Sequence, residues 1–196
     1  MAKYPAIAAI GLALLDQLAS ARPKPEFAGA QFDLYQSSDF DVPMKEGISL
    51  YLYRVTINGS FRNPPPRIDP TGKRRRPPLP LDLHFMLTAW AGTAAKQQRL
   101  LAWAMQQLED MPILPSGLLN SLGPEPEIFH ADETVELICD PIAMQDMFNI
   151  WENLKTKMQI SVTYVARMVM IESALELVEA PMVQTRLFKS AQERSP

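Results

Sequence analysis

The sequence predicts an α+β fold, an α/β sandwich in which a mixed sheet of about four to five strands packs with about three helices. Three observations carry this prediction. Residues 48–59 and 79–88 are β-branched and aromatic or alternate strictly between apolar and polar, the pattern of strands. Residues 7–18, 93–111 and 144–154 instead repeat apolar positions every three or four residues, the pattern of amphipathic helices. The two kinds of segment alternate along the chain as helix, strands, helix, strand, helix, strand. With 196 residues, 47% of them apolar and 21% charged, the chain can bury one sizeable core. One domain over residues 1–175, followed by a C-terminal tail at 176–196, is the expected division.

The elements follow in order. Ile7, Ile10, Leu14 and Leu18 form one apolar stripe of a first helix. The stretch "MAKYPAIAAIGLALLDQLASARP", with a lysine and an apolar run from Pro5 to Leu15, imitates a signal sequence, but Asp16 and Gln17 interrupt it before the small residues at 19–21, so the expectation is a retained helix and no cleaved signal peptide. No run of about 18 apolar residues exists, so no membrane-spanning helix is expected. "RPKPE" breaks the pattern, and "FAGAQFDLYQ" reads as extended. In the strand at 48–59, alternation puts Tyr51, Tyr53, Val55 and Ile57 on one face and Leu50, Leu52, Arg54 and Thr56 on the other, which calls for cover on both sides. The prolines of residues 62–78 argue against regular pairing there, and "DPTGK" supplies a turn.

From Leu79 the alternation is sharp, with Leu81, Leu83, Phe85 and Leu87 opposed to Asp82, His84, Met86 and Thr88. A helix over 93–111 aligns Leu100, Trp103, Ala104, Leu108 and Met111, and "MPILPSG" stops it. Residues 133–140 read as a strand. Asp140 and Pro141 then read as the cap and first position of a helix carrying Met144, Met147, Phe148, Trp151 and Leu154. Residues 159–173 form the last long strand.

The chemistry on offer is sparse. Two histidines and Cys139 cannot assemble the usual zinc sets, and no glycine-rich phosphate loop occurs among the eight glycines, so neither metal nor cofactor is expected. Asp82 and His84 lie two apart on one strand face and could orient an imidazole toward Ser49 or Ser161, yet no nucleophile elbow accompanies them. The loudest feature is a basic arm. Arg62, Arg67, Lys73, Arg74, Arg75 and Arg76 against Asp69 give residues 62–76 a charge of +5, leaving −8 on the rest of a chain whose net charge is −3. These cations could bind phosphates of a nucleic acid, an acidic protein surface, or only water. No aromatic residue lies between Asn63 and Pro80 to stack a base, which favours protein contact over a small nucleic-acid-binding module.

Several stretches together resemble a known family: "GISLYLYRVTINGSFRN", "RPPLPLDLHFMLTAWA" and "IWENLKTKMQISVTYVAR", in that order. They are similar to the N-terminal domain of cap, or tail-terminator, proteins of extracellular contractile injection systems, the phage-tail-like particles that include antifeeding prophages and Photorhabdus virulence cassettes. The matching residues are 50–55, Arg62 and Asn63, 77–83, Trp151, and 161–164, and the resemblance runs from the first helix to about Ile171. It implies a phage tail-terminator-like fold and a structural protein without enzymatic activity, cofactor or small-molecule substrate. It further implies a homohexameric ring closing the tube and sheath. The partners would then be tube and sheath subunits, reached by Arg62, Arg67, Lys73, Arg74, Arg75 and Arg76. Assembly would be cytoplasmic, with release as part of an extracellular particle.

Overall fold

The computed structural model describes residues 2–61, 65–68, 72–121 and 127–177. Helix α1 spans Ala6–Ala21, and strand β1 (Gln31–Tyr35) leads through a 3-10 turn at Ser37–Asp41 into the long β2 (Gly47–Ile57). The basic arm carries β3 (Arg67–Ile68) and β4 (Arg74–Arg75) and returns as β5 (Leu79–Trp90). Then follow α2 (Ala94–Glu109), β6 (Ile113–Pro115), α3 (Ser116–Ser121), β7 (Thr134–Cys139), α4 (Met144–Asn153) and β8 (Ser161–Ile171).

Among the described residues the main sheet has six strands in the order β1-β2-β5-β8-β7-β6, with β1 and β2 parallel and every other pair antiparallel. The α+β fold is therefore as expected, with a strand more than the four to five expected and four α-helices rather than three. The added strand is β6, an edge strand bounded by prolines. At an edge one side of the backbone needs no partner, so Pro115 is tolerated there.

The sheet is covered on both faces. One face packs α1, α2 and α3 over Ile48, Leu50, Leu83, Phe85 and Leu87, all nearly or fully buried. The other face carries a smaller cluster in which Phe40 of the 3-10 turn sits among Met86, Trp90, Met147 and Trp151. Gly47 explains how β1 joins the sheet. Its φ is +150°, and a Cβ there would lie 2.0 Å from the Gln31 carbonyl oxygen, so only glycine allows the close approach.

Two bulges correct the sequence phase. One between Leu52 and Arg54 adds a residue to β2, so Val55 and Ile57 pair with Leu83 and Leu81 and lie on the Leu50 and Leu52 face, not with Tyr51 and Tyr53 as alternation predicts. Cover also fails there: Val55 is 45% and Ile57 56% exposed. The second bulge, in β8 opposite Asp82, places Met168 at φ 61°. Helix α4 starts from Ala143, not Asp140, because Asp140 is still held at the sheet by its N–H to the Thr163 carbonyl at 2.9 Å and by the Thr163 hydroxyl, which donates to the Asp140 carbonyl.

Candidate partner interface

The arm leaves the sheet where β2 ends and β5 begins, and a polar network fixes its root. The buried Asn58 amide nitrogen donates to both carboxylate oxygens of Asp82, at 3.1 and 3.0 Å. Its backbone N–H donates to the Pro80 carbonyl, 3.0 Å, and its side-chain oxygen accepts from the Ser60 N–H, 3.0 Å. Asp82 also accepts from the Met168 N–H at 3.0 Å, satisfying the backbone where β8 bulges. Arm root and bulge thus share one carboxylate.

Beyond the root, the prolines do not exclude pairing as the sequence suggests, because β3 and β4 form a short antiparallel hairpin. A third segment joins it. The Arg76 N–H donates to the Leu175 carbonyl (3.1 Å), the Leu177 N–H donates to the Arg74 carbonyl (2.8 Å), and Arg75 bridges Glu176 in antiparallel sense. Side chains reinforce this register: Lys73 forms an ion pair with Glu176, and the Arg75 guanidinium donates to the Ala174 carbonyl at 2.7 Å. All four residues of the "KRRR" run therefore touch residues 174–177 of the same chain. Lys73, Arg74 and Arg76 are exposed and Arg75 half-buried. Arg62 lies outside the described residues, and of Arg67 the backbone in β3 is described. Composition signalled the arm; nothing in composition signalled its partner strand a hundred residues on.

Asp82 and His84 do share a face, yet they are not joined. The His84 ring contacts Asp140 (Nδ1 to Oδ2, 3.4 Å) and the Thr56 hydroxyl (Nε2 to Oγ1, 3.1 Å), while Asp82 is occupied by Asn58 and Met168. Neither serine is near: Ser49 accepts from the Trp90 indole N–H at 2.8 Å, and Ser161 pairs with Thr88, four strand positions from His84. Burial, with Cys139 and Glu109 nearby, pushes the Tyr164 hydroxyl up to about 12, and burial likewise raises the Cys139 thiol. Both shifts favour the neutral group, which suits core packing rather than acid-base work.

Comparisons with known proteins bear on the fold and the family. None of the curated proteins matches the chain. Among solved structures, the sheath/tube terminator of an extracellular contractile injection system of the PVC type, in its extended state, superposes with a TM-score of 0.60 at 14% identity, over 96% of this chain and 64% of that one. The tube-terminating cap of the anti-feeding prophage superposes with a TM-score of 0.57 at 13% identity, over 91% of this chain and 60% of that one. The chain thus spans less than two thirds of either, and at these identities the likeness is one of fold. The model of the Pvc16 N-terminal domain matches residues 12–185, past Ile171, where the motif resemblance stops. From α1 through the arm to the segment beyond β8, the chain belongs to the Pvc16 N-terminal domain family.

Proposed function

We propose that the chain is a structural, non-enzymatic cap that terminates the inner tube and contractile sheath of a phage-tail-like injection particle, assembling as a homohexameric ring. The carrying observation is the family match over residues 12–185, joined to a fold shared with two structures whose names are those of terminators. In this reading the arm, with Arg62, Arg67, Lys73, Arg74, Arg75 and Arg76, is the element that reaches acidic surfaces of tube or sheath subunits. Six copies on one ring make each further weak contact effectively intramolecular, so modest single contacts suffice. Assembly takes place in the cytoplasm, before the particle is released.

The arm is tested by reversing its charge. Because Lys73 pairs with Glu176, the variant carries Lys73→Glu, Arg74→Glu, Arg75→Glu and Arg76→Glu together with Glu176→Lys, which keeps the internal pair. The expected outcome is a variant that still folds and unfolds cooperatively, with a midpoint lowered only by the lost Arg75 contact to the Ala174 carbonyl, and uncapped or length-heterogeneous particles in electron micrographs. Normal capped particles of uniform length would remove the arm from the contact.

A further inference from the structure

Strand β1 covers only half of β2. Their pairing ends at Tyr35 and Tyr51, where the chain turns into the 3-10 helix, while β2 continues to Ile57. Among the described residues nothing pairs with the outer edge of β2 from residue 52 to 57. Natural sheets normally blunt such an open row of backbone donors and acceptors with short strands, charge, bulges or proline; of the six residues here, Arg54 and the adjoining bulge protect the start, and the regular run from Val55 to Ile57 carries none of these devices. It is also apolar on its helix-side face. Val55 and Ile57 are exposed there, and the edge runs from an apolar groove of about 610 Å³ walled by Ile7, Gly11, Leu34, Leu52 and Phe85.

We propose that this edge takes an added β-strand, and that the strand is the C-terminal segment, residues 178–196, of a second copy of the chain. An extended strand satisfies the backbone row while alternate side chains enter the groove. The segment has the composition for it: "PMVQTRLF" at 181–188 puts Val183, Thr185 and Leu187 on one side of an extended strand and Met182, Gln184, Arg186 and Phe188 on the other, so the first side is free of charge. Where the described chain ends selects a neighbour over the same chain. Residues 174–177 run antiparallel to β4, which itself runs into β5, so at Leu177 the chain heads out along the arm and away from its own sheet. The 19 residues beyond it reach about 60 Å when extended, against a radius of gyration of about 16 Å for a domain of this length. The donor strand and the acceptor edge are different surfaces, so the contact is head-to-tail and can close into a ring.

This inference rests on the ring reading and asks what joins neighbouring copies, so its test separates the two. Full-length tagged Val55→Cys protein is mixed with untagged Val183→Cys, Thr185→Cys or Leu187→Cys protein under mild oxidation, beside light scattering of the parent. Ile113→Cys, more exposed than Val55 at 56% and on the opposite sheet edge, is the control for random collision. At least one tail position should give a tagged–untagged disulfide at least ten times more abundant than with Ile113→Cys, and adding Thr185→Pro to the Val183→Cys and Leu187→Cys partners should abolish it. A ring without that cross-link overturns the added strand and leaves the ring standing; a monomer without it overturns the added strand and requires the ring to form only on the tube end. A third protein carrying Val55→Cys and Val183→Cys in one chain closes the last alternative: if it forms the disulfide within itself while the mixed chains form none, the edge takes its own tail and the proposal is overturned.

Discussion

Replacing Asp82 by alanine should be among the costliest single changes outside the apolar core. The carboxylate accepts from the Asn58 amide and from the Met168 N–H, all at 3.0 to 3.1 Å. Asn58 is 5% exposed, and Met168 is held at φ 61° in the bulge, so neither donor can turn to water without moving the strand. Each buried donor left without its acceptor costs about 1–3 kcal/mol. Water can reach part of the half-buried Asp82 site, so the sum falls at about 3 kcal/mol rather than the upper limit. For a chain of this length that lowers the melting temperature by about 6–12 °C. Asp82→Asn, which still offers one oxygen, should lose roughly half as much, and Asn58→Ala with Asp82→Ala should fall short of additivity by about 1 kcal/mol. Urea titrations followed by intrinsic fluorescence supply the free energies, and thermal unfolding supplies the melting temperature. A loss below about 1 kcal/mol for Asp82→Ala would refute the view that this carboxylate ties the arm root to the bulge.

Two further outcomes follow from the packing. Gly47→Ala, whose Cβ would meet the Gln31 carbonyl and whose φ disfavours any side chain, should cost at least about 2 kcal/mol in urea unfolding and speed amide exchange in β1. Tyr164 has its folded pKa raised from 10.0 to about 12, so the unfolded chain gives up this proton first; its contribution is complete below pH 10 and lost as pH rises from 10 to 12. That loss is on the order of 2–3 kcal/mol, and Tyr164→Phe should flatten the alkaline fall in stability measured by denaturant titration across that range.

What could be read in advance follows physical lines. β5 was legible because it is central, so its alternation meets cover on each face and Phe85 and Met86 are both buried as opposite faces require. β2 was legible as a strand but not in phase, since the extra residue between Leu52 and Arg54 leaves no mark on composition. β6 and α3 were hidden by Pro112, Pro115 and Gly117, which signal a break in any local reading and are accommodated only because the segment lies at the sheet edge. Asp140 has the residue type of a helix cap, but its backbone is held by Thr163, a partner supplied by a different strand. The arm was the clearest signal of all by charge. Its pairing with 174–177 was invisible, because Lys73 and Glu176 are 103 residues apart and no local rule links them.

Whether this chain ends a tube and its sheath is decided by electron microscopy of particles assembled with and without it. Particles made with the chain should have one uniform length and six-fold density for it at one end. Without it, tubes and sheaths should be open-ended and of scattered length. Identical length distributions and identical ends in the two preparations would contradict the claim.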